Sequence, residues 1–164
     1  MKKFAKWLIW FFPICMCILI FSFSSDDAAE STQKSYPLTV GIVETVDGVF
    51  GGKLDQDQII ITAEKLEFYI RKAGHMTEYA ILAVSIMTAC IVTYQICKKQ
   101  MFFTWLFCVA YASSDEIHQL FVPGRSGRFM DVCIDSTGAL IGIVLFYVFM
   151  RLIRRRKMKK AQAK

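Results

Sequence analysis

Histidine occurs only twice in the 164 residues, at His75 and His118, and neither belongs to an HExxH string or to a pair that could open a zinc triad. The six cysteines offer no CxxC: Cys15 and Cys17 are two apart in a segment without histidine, and Cys90, Cys97, Cys108 and Cys133 fall within or beside apolar stretches. They read as small apolar packers rather than a disulfide framework or a structural zinc site. No serine stands in a GxSxG elbow and no P-loop is present, so acyl-enzyme and nucleotide chemistry are without support. Charge is scarce as well. Only 21% of residues are charged against 55% hydrophobic, which is too apolar for an ordinary soluble domain and the opposite of a disordered chain. The composition points to the bilayer.

The formal net charge is +6, and its placement decides its meaning. Lys2, Lys3 and Lys6 open the chain, and Arg151, Arg154, Arg155, Arg156, Lys157, Lys159, Lys160 and Lys164 close it. Both clusters abut apolar stretches, so they read as anchors against the cytoplasmic leaflet and not as a nucleic-acid surface.

A spanning helix needs about 20 residues, and four windows come near that length. Trp7 to Ser25 and Tyr79 to Cys97 carry no charge; Gln100 to Ser114 and Ser136 to Met150 reach spanning length only by taking in charged neighbours. The expected fold is an all-α integral membrane protein, a bundle of four transmembrane helices forming one domain over 1–164. Its spans lie at about 7–25, 75–97, 100–119 and 132–151, with an external loop at 26–72 and a basic tail at 151–164. Lys98 and Lys99, the tail and the lysine-rich start place both termini on the cytoplasmic side. A cleaved signal peptide is the other reading of span one, and it leaves the remaining orientation unchanged. Within the external loop, Leu38, Val40, Ile42, Val43, Val46, Val49 and Phe50 predict a short amphipathic helix on the outer leaflet, stopped by Gly51 and Gly52. A second helix is expected from Thr62 as N-cap, running into span two with Gly74 as the joint.

Counting about 1.5 Å per helical residue from the cytoplasmic charges puts Asp115 and Asp135 roughly 24 Å along their spans, with Glu116 close by, several ångströms below the outer edge of a ~30 Å core. The same count puts Glu78 at roughly 30 Å and His75 at roughly 35 Å, near the boundary, so that His75, Glu78 and Asp131 form a lip over a floor of Asp115, Glu116 and Asp135. His75, Glu78 and Tyr79 share a helix face, as do Asp115, His118 and Gln119, whereas Glu116 points about 100° away from Asp115. The turn from Phe121 to Arg128 carries Arg125 and Arg128, side chains suited to carboxylate or phosphate.

Carboxylates at such depth cost about 2.5 to 3.5 kcal/mol each on insertion scales and usually face partners or a watery cavity. A functional pocket is therefore the first reading: Asp115, Glu116 and His75 as catalytic candidates, with Lys72, Glu78, Tyr79, Gln119, Arg125, Asp131 and Asp135 as candidate binding residues. The bland alternatives are ion pairs of Arg125 or Arg128 with Asp115, Glu116 or Asp131, an ordinary N-cap role for Asp131, and interfacial snorkelling by Arg71 and Lys72. A metal would have to be held by His75 or His118 with carboxylates across helices; no metal or cofactor is assigned.

Three segments carry a family resemblance: Ile20 to Ser25, Arg71 to Leu82 and Ser114 to Gly142. In the last, Asp115-Glu116, Gln119, Phe121, Pro123-Gly124-Arg125, Asp131, Asp135, Gly138 and Gly142 follow in order. The chain resembles the VanZ-like family of small bacterial membrane proteins over most of its length. Two positions depart: the family has asparagine-like polar character where Asp135 stands, and His118 lies outside the pattern. The resemblance implies a four-span protein in the cell membrane of a Gram-positive-type bacterium, in a family whose founding member is linked to resistance to teicoplanin. Three function classes follow. The chain is an enzyme on a lipid-linked cell-wall precursor, a non-catalytic binder of a membrane lipid, such a precursor or a lipoglycopeptide, or an accessory subunit whose charged pairs only hold helices together.

Overall fold

The structure, a computed structural model, describes residues 6–94 and 98–162; the expectations placed on Lys2, Lys3, Cys97 and Lys164 lie outside them. The described residues form helices without strands. We number the five main ones α1 (Phe11–Ser24), α2 (Ala28–Val49), α3 (Gln56–Thr93), α4 (Lys98–Gln119) and α5 (Phe129–Gln162).

Three segments are long and apolar enough to cross a membrane: Lys6–Ser24, Gln56–Thr93 and Phe129–Gln162. The expected third span, α4, has 22 residues but is not among them. The physical reason is its last two turns, where Ser113, Ser114, Asp115, Glu116, His118 and Gln119 offset the apolar first half.

The stretch 26–72 is a helical hairpin rather than a loop. Asp27 caps α2 by accepting from the Glu30 N–H at 2.8 Å, and α2 ends at Phe50, followed by Gly51 and Gly52, both at positive φ. The next helix starts earlier than expected: Asp55, not Thr62, is its N-cap, in a reciprocal capping box with Gln58. From there α3 runs unbroken for 38 residues, and Gly74 is no joint. At about 57 Å it is far longer than a ~30 Å core, so one half of it must stand outside the hydrocarbon. That first half packs on α2 through Val43, Ile59 and Ala63, and the buried Glu67 accepts hydrogen bonds from Ser35 and Thr39 of α2.

The second half of α3 packs on α1, α4 and α5 around Met16, Ile20, Tyr79, Leu82, Met87, Cys108 and Ile143. Its closest approach is to α5, where Gly138 and Gly142 lie against the backbone of Met76 and Ala80; a Cβ at either glycine would strike those carbonyl oxygens. Without water to drive apolar surfaces together, such backbone-to-backbone packing is what holds helices in lipid. Indole and phenol groups cross-link the bundle: Trp10 donates to Thr93 Oγ1 at 2.9 Å, Trp105 to the Ser136 carbonyl at 3.2 Å and Tyr111 to the Cys17 carbonyl at 2.6 Å. Outside this core, Phe11, Phe12 and Ile18 of α1, Phe102, Phe103 and Leu106 of α4, and Leu140, Val144 and Leu145 of α5 are exposed. A belt of that kind is suited to acyl chains and unsuited to water.

Candidate functional site

At one end of the bundle four helix segments and a turn converge. α1 stops at Ser24, α4 stops at Gln119, α5 begins at Phe129, and α3 passes alongside with Lys72, His75 and Tyr79. The turn that joins α4 to α5 folds back over them, because the Glu116 carboxylate accepts from the Arg128 backbone N–H at 2.8 Å. Gln119 bridges inward, donating to Ser24 Oγ at 3.1 Å and to Asp115 Oδ2 at 3.4 Å. Between these elements lies a cavity of about 140 Å³.

Seven of the ten expected residues line it: Lys72, His75, Glu116, Gln119, Arg125, Asp131 and Asp135. The other three are set apart. Tyr79 and Asp115 are buried, within electrostatic reach of each other and of Asp135, and the Tyr79 hydroxyl and Asp115 Oδ1 have no hydrogen-bond partner among the described residues. Glu78 opens onto a neighbouring chamber, with its Oε2 at 3.6 Å from His75 Nδ1. His118 sits edge-on to Phe21, ring centroids 4.5 Å apart, and does not line the cavity.

The expected ion pairs of the turn arginines are not formed. Among the described residues no carboxylate lies within 4.0 Å of the guanidinium group of Arg125 or Arg128; the close pair is instead Lys72 with Asp131, at 2.5 Å. Asp131 is accordingly the third residue of α5, partnered across to α3, and does not occupy the cap position. Arg125 donates to the carbonyls of Asp26 at 3.2 Å and Phe23 at 3.3 Å, closing the end of α1. Two of its five N–H groups are so engaged. Arg71, for which interfacial snorkelling is the bland alternative, lines the cavity and donates to Thr32 Oγ1 at 3.2 Å. Burial holds the Arg125 guanidinium below its ordinary pKa, and the charge of Arg71 pushes the same way. Two cations pressed together in a half-enclosed space make a place where an anion is welcome. The sequence offered one signal for Arg71 that went unused: it lies one helical turn before His75 and next to Lys72.

Among the described residues no group of three His, Cys, Asp or Glu side chains is arranged to hold a metal ion. The cavity lining carries four cations, Arg71, Lys72, Arg125 and Arg128, and three carboxylates, Glu116, Asp131 and Asp135. A family model described as VanZ/LLP1 matches residues 9–151. The chain belongs to the VanZ/LLP1 family. No curated protein and no solved structure matched it. The region shared with the VanZ/LLP1 family includes every cavity-lining residue, from Ala28 to Asp135.

Proposed function

We propose that this VanZ/LLP1 protein crosses a bacterial cell membrane four times, with both termini cytoplasmic, and binds the phosphate of a lipid-linked envelope precursor at the outer leaflet. The observation that carries the reading is the convergence of Arg71, Arg125 and Arg128 on one cavity, which Glu116, Asp131 and Asp135 also line, with no carboxylate within 4.0 Å of any of the three guanidinium groups among the described residues. A guanidinium fork is the side chain best matched to phosphate oxygens, and three of them at a low-dielectric rim attract a headgroup more strongly than they would in water. Size supports a headgroup over a whole glycopeptide. A drug-sized ligand needs about 300 Å³ or more, whereas the cavity offers about 140 Å³. A link to teicoplanin, which the family resemblance raises, would on this reading run through the precursor and not through enclosure of the drug.

The test is binding of a polyprenyl phosphate to protein purified in a maltoside detergent, which itself carries no phosphate. Saturable binding is expected, weakened about tenfold to a hundredfold in Arg71→Gln or Arg125→Gln, because a hydrogen bond to a charged group is worth about 1.5–3 kcal/mol. Absence of binding by the wild type would end the reading. A second reading adds chemistry: His75 and Glu116 face the same cavity, within reach of a bound phosphate, where either could move a proton. It requires turnover of the bound lipid, lost in His75→Asn while binding persists; a lipid recovered intact leaves binding alone.

A further inference from the structure

We infer that the phosphate reaches its cavity at the end of an apolar chain that lies in a side chamber along α3, an inference that rests on the phosphate reading. The chamber, about 270 Å³, adjoins the phosphate cavity and shares Arg71 and His75 with it as a common wall. Beyond that threshold Phe23 at the end of α1, Leu38 of α2 and Ile70 of α3 give it an apolar strip, bordered by the Lys34–Asp26 ion pair, Ser31, Ser35 and Glu78. Phe23 and Leu38 are exposed, so the chamber is open at the level where the first span ends. A headgroup site that continues sideways into an apolar recess at that level matches a ligand drawn laterally from the bilayer, and not an ion arriving from water.

Gly74 is the position from which the chamber can be probed. It lies on the chamber wall between Arg71 and His75, inside an unbroken 38-residue helix, where a glycine costs about 1 kcal/mol relative to alanine. Packing does not account for it. A Cβ on Gly138 or Gly142 would collide with α3, but a Cβ on Gly74 meets no protein atom within 4 Å. Gly74 is exposed on α3, and like Gly41 and Gly48 of α2 it borders open space.

The experiment compares two phosphates that differ only in the chain, dodecyl phosphate and methyl phosphate, on full-length protein in maltoside micelles, with bound ligand counted by native mass spectrometry. Gly74→Leu adds a side chain on the chamber wall whose Cβ meets no protein atom within 4 Å and favours the helix; Leu38→Glu places a carboxylate at the mouth from an exposed position. Each is expected to lose at least tenfold in dodecyl phosphate affinity relative to the wild type while methyl phosphate binding stays within twofold. Gly74→Ala should retain most of both. Four results would overturn the inference: dodecyl phosphate binding unchanged in both variants, equal loss of the two ligands, no advantage of the dodecyl chain in the wild type, or a change of oligomeric mass in Gly74→Leu with lipid affinity intact, which would assign the recess to a second copy. In the first and third of these the phosphate reading survives. If the wild type binds neither phosphate, both fall together.

Discussion

Arg125 and Asp131 show how individual side chains of the site divide their work between holding the fold and facing a ligand. Arg125 closes the end of α1 through the Phe23 and Asp26 carbonyls and still has donors directed elsewhere. Arg125→Lys keeps the charge but loses the planar fork, so phosphate binding should fall several-fold and the melting temperature should drop as well. Asp131 makes the sharper case, because it neutralises Lys72 at 2.5 Å beside the cavity. Asp131→Asn removes that neutralisation and hands Lys72 to the anion. Phosphate affinity should therefore rise, by about the tenfold that one added charged hydrogen bond is worth, while thermal stability without ligand falls because a largely buried ammonium loses its partner. Opposite signs in a binding titration and a melting curve are the signature. A purely structural Asp131 would give the fall alone.

The helices of this protein are arranged around two kinds of contact, the tight α3–α5 seam and the polar-stapled α2–α3 hairpin. At the seam, Gly142→Ala should destabilise by about 1–3 kcal/mol, since its Cβ would meet the Ala80 carbonyl and neither helix can yield alone. Thermal unfolding in detergent measures it, with Gly74→Ala, which meets nothing, as the paired control. Much of this arrangement was legible from the residues. Trp7 to Ser25 declared itself by carrying no charge, and depth counting from Lys99 and Arg151 brought Asp115, Glu116 and Asp135 to one level. What sequence could not supply was rotation about each helix axis. Spacing sets Asp115 and Gln119 on one face and Glu116 about 100° away, but it does not say that Glu116 faces the cavity while Asp115 turns inward to Gln119. The start of α3 is legible in the sequence, since Asp55 is followed three residues later by Gln58, the capping-box spacing, whereas Thr62 is followed by Lys65. Arg71 as a snorkeler and Gly74 as a joint are inferences from single residues; their surroundings come from the elements packed beside them.

The molecule as a whole is lopsided, with an acidic helical hairpin at one end and a basic helix end at the other, and the site lies at the hairpin end. Both features follow from the long helices. α3 begins well before the core that Tyr79 to Met87 define, and α5 continues through Arg151, Arg154, Arg155 and Arg156 into Lys159 and Lys160, all exposed, well past Ile143. Cations concentrated at one end are retained on the cytoplasmic side during insertion, so the opposite end, with the phosphate cavity, should face outward. The proposed crossing of α4 follows from the same geometry: α3 and α5 run parallel, Gly138 against Met76 and Gly142 against Ala80, so if both span, Lys99 at the start of α4 and the turn at its end lie on opposite sides. The prediction is made with single cysteines introduced into a chain whose own cysteines are replaced by alanine or serine. Lys53→Cys, in the exposed turn of the hairpin, should react with a membrane-impermeant maleimide in intact cells, and Lys159→Cys should react only after the membrane is opened. Ser126→Cys, exposed in the turn between α4 and α5, decides the fourth crossing. Labelling from outside means that α4 spans and the arginine-lined cavity faces the outer leaflet. Labelling of Ser126→Cys only from inside would remove the outer-leaflet ligand, because Arg125 and Arg128 would then face the cytoplasm.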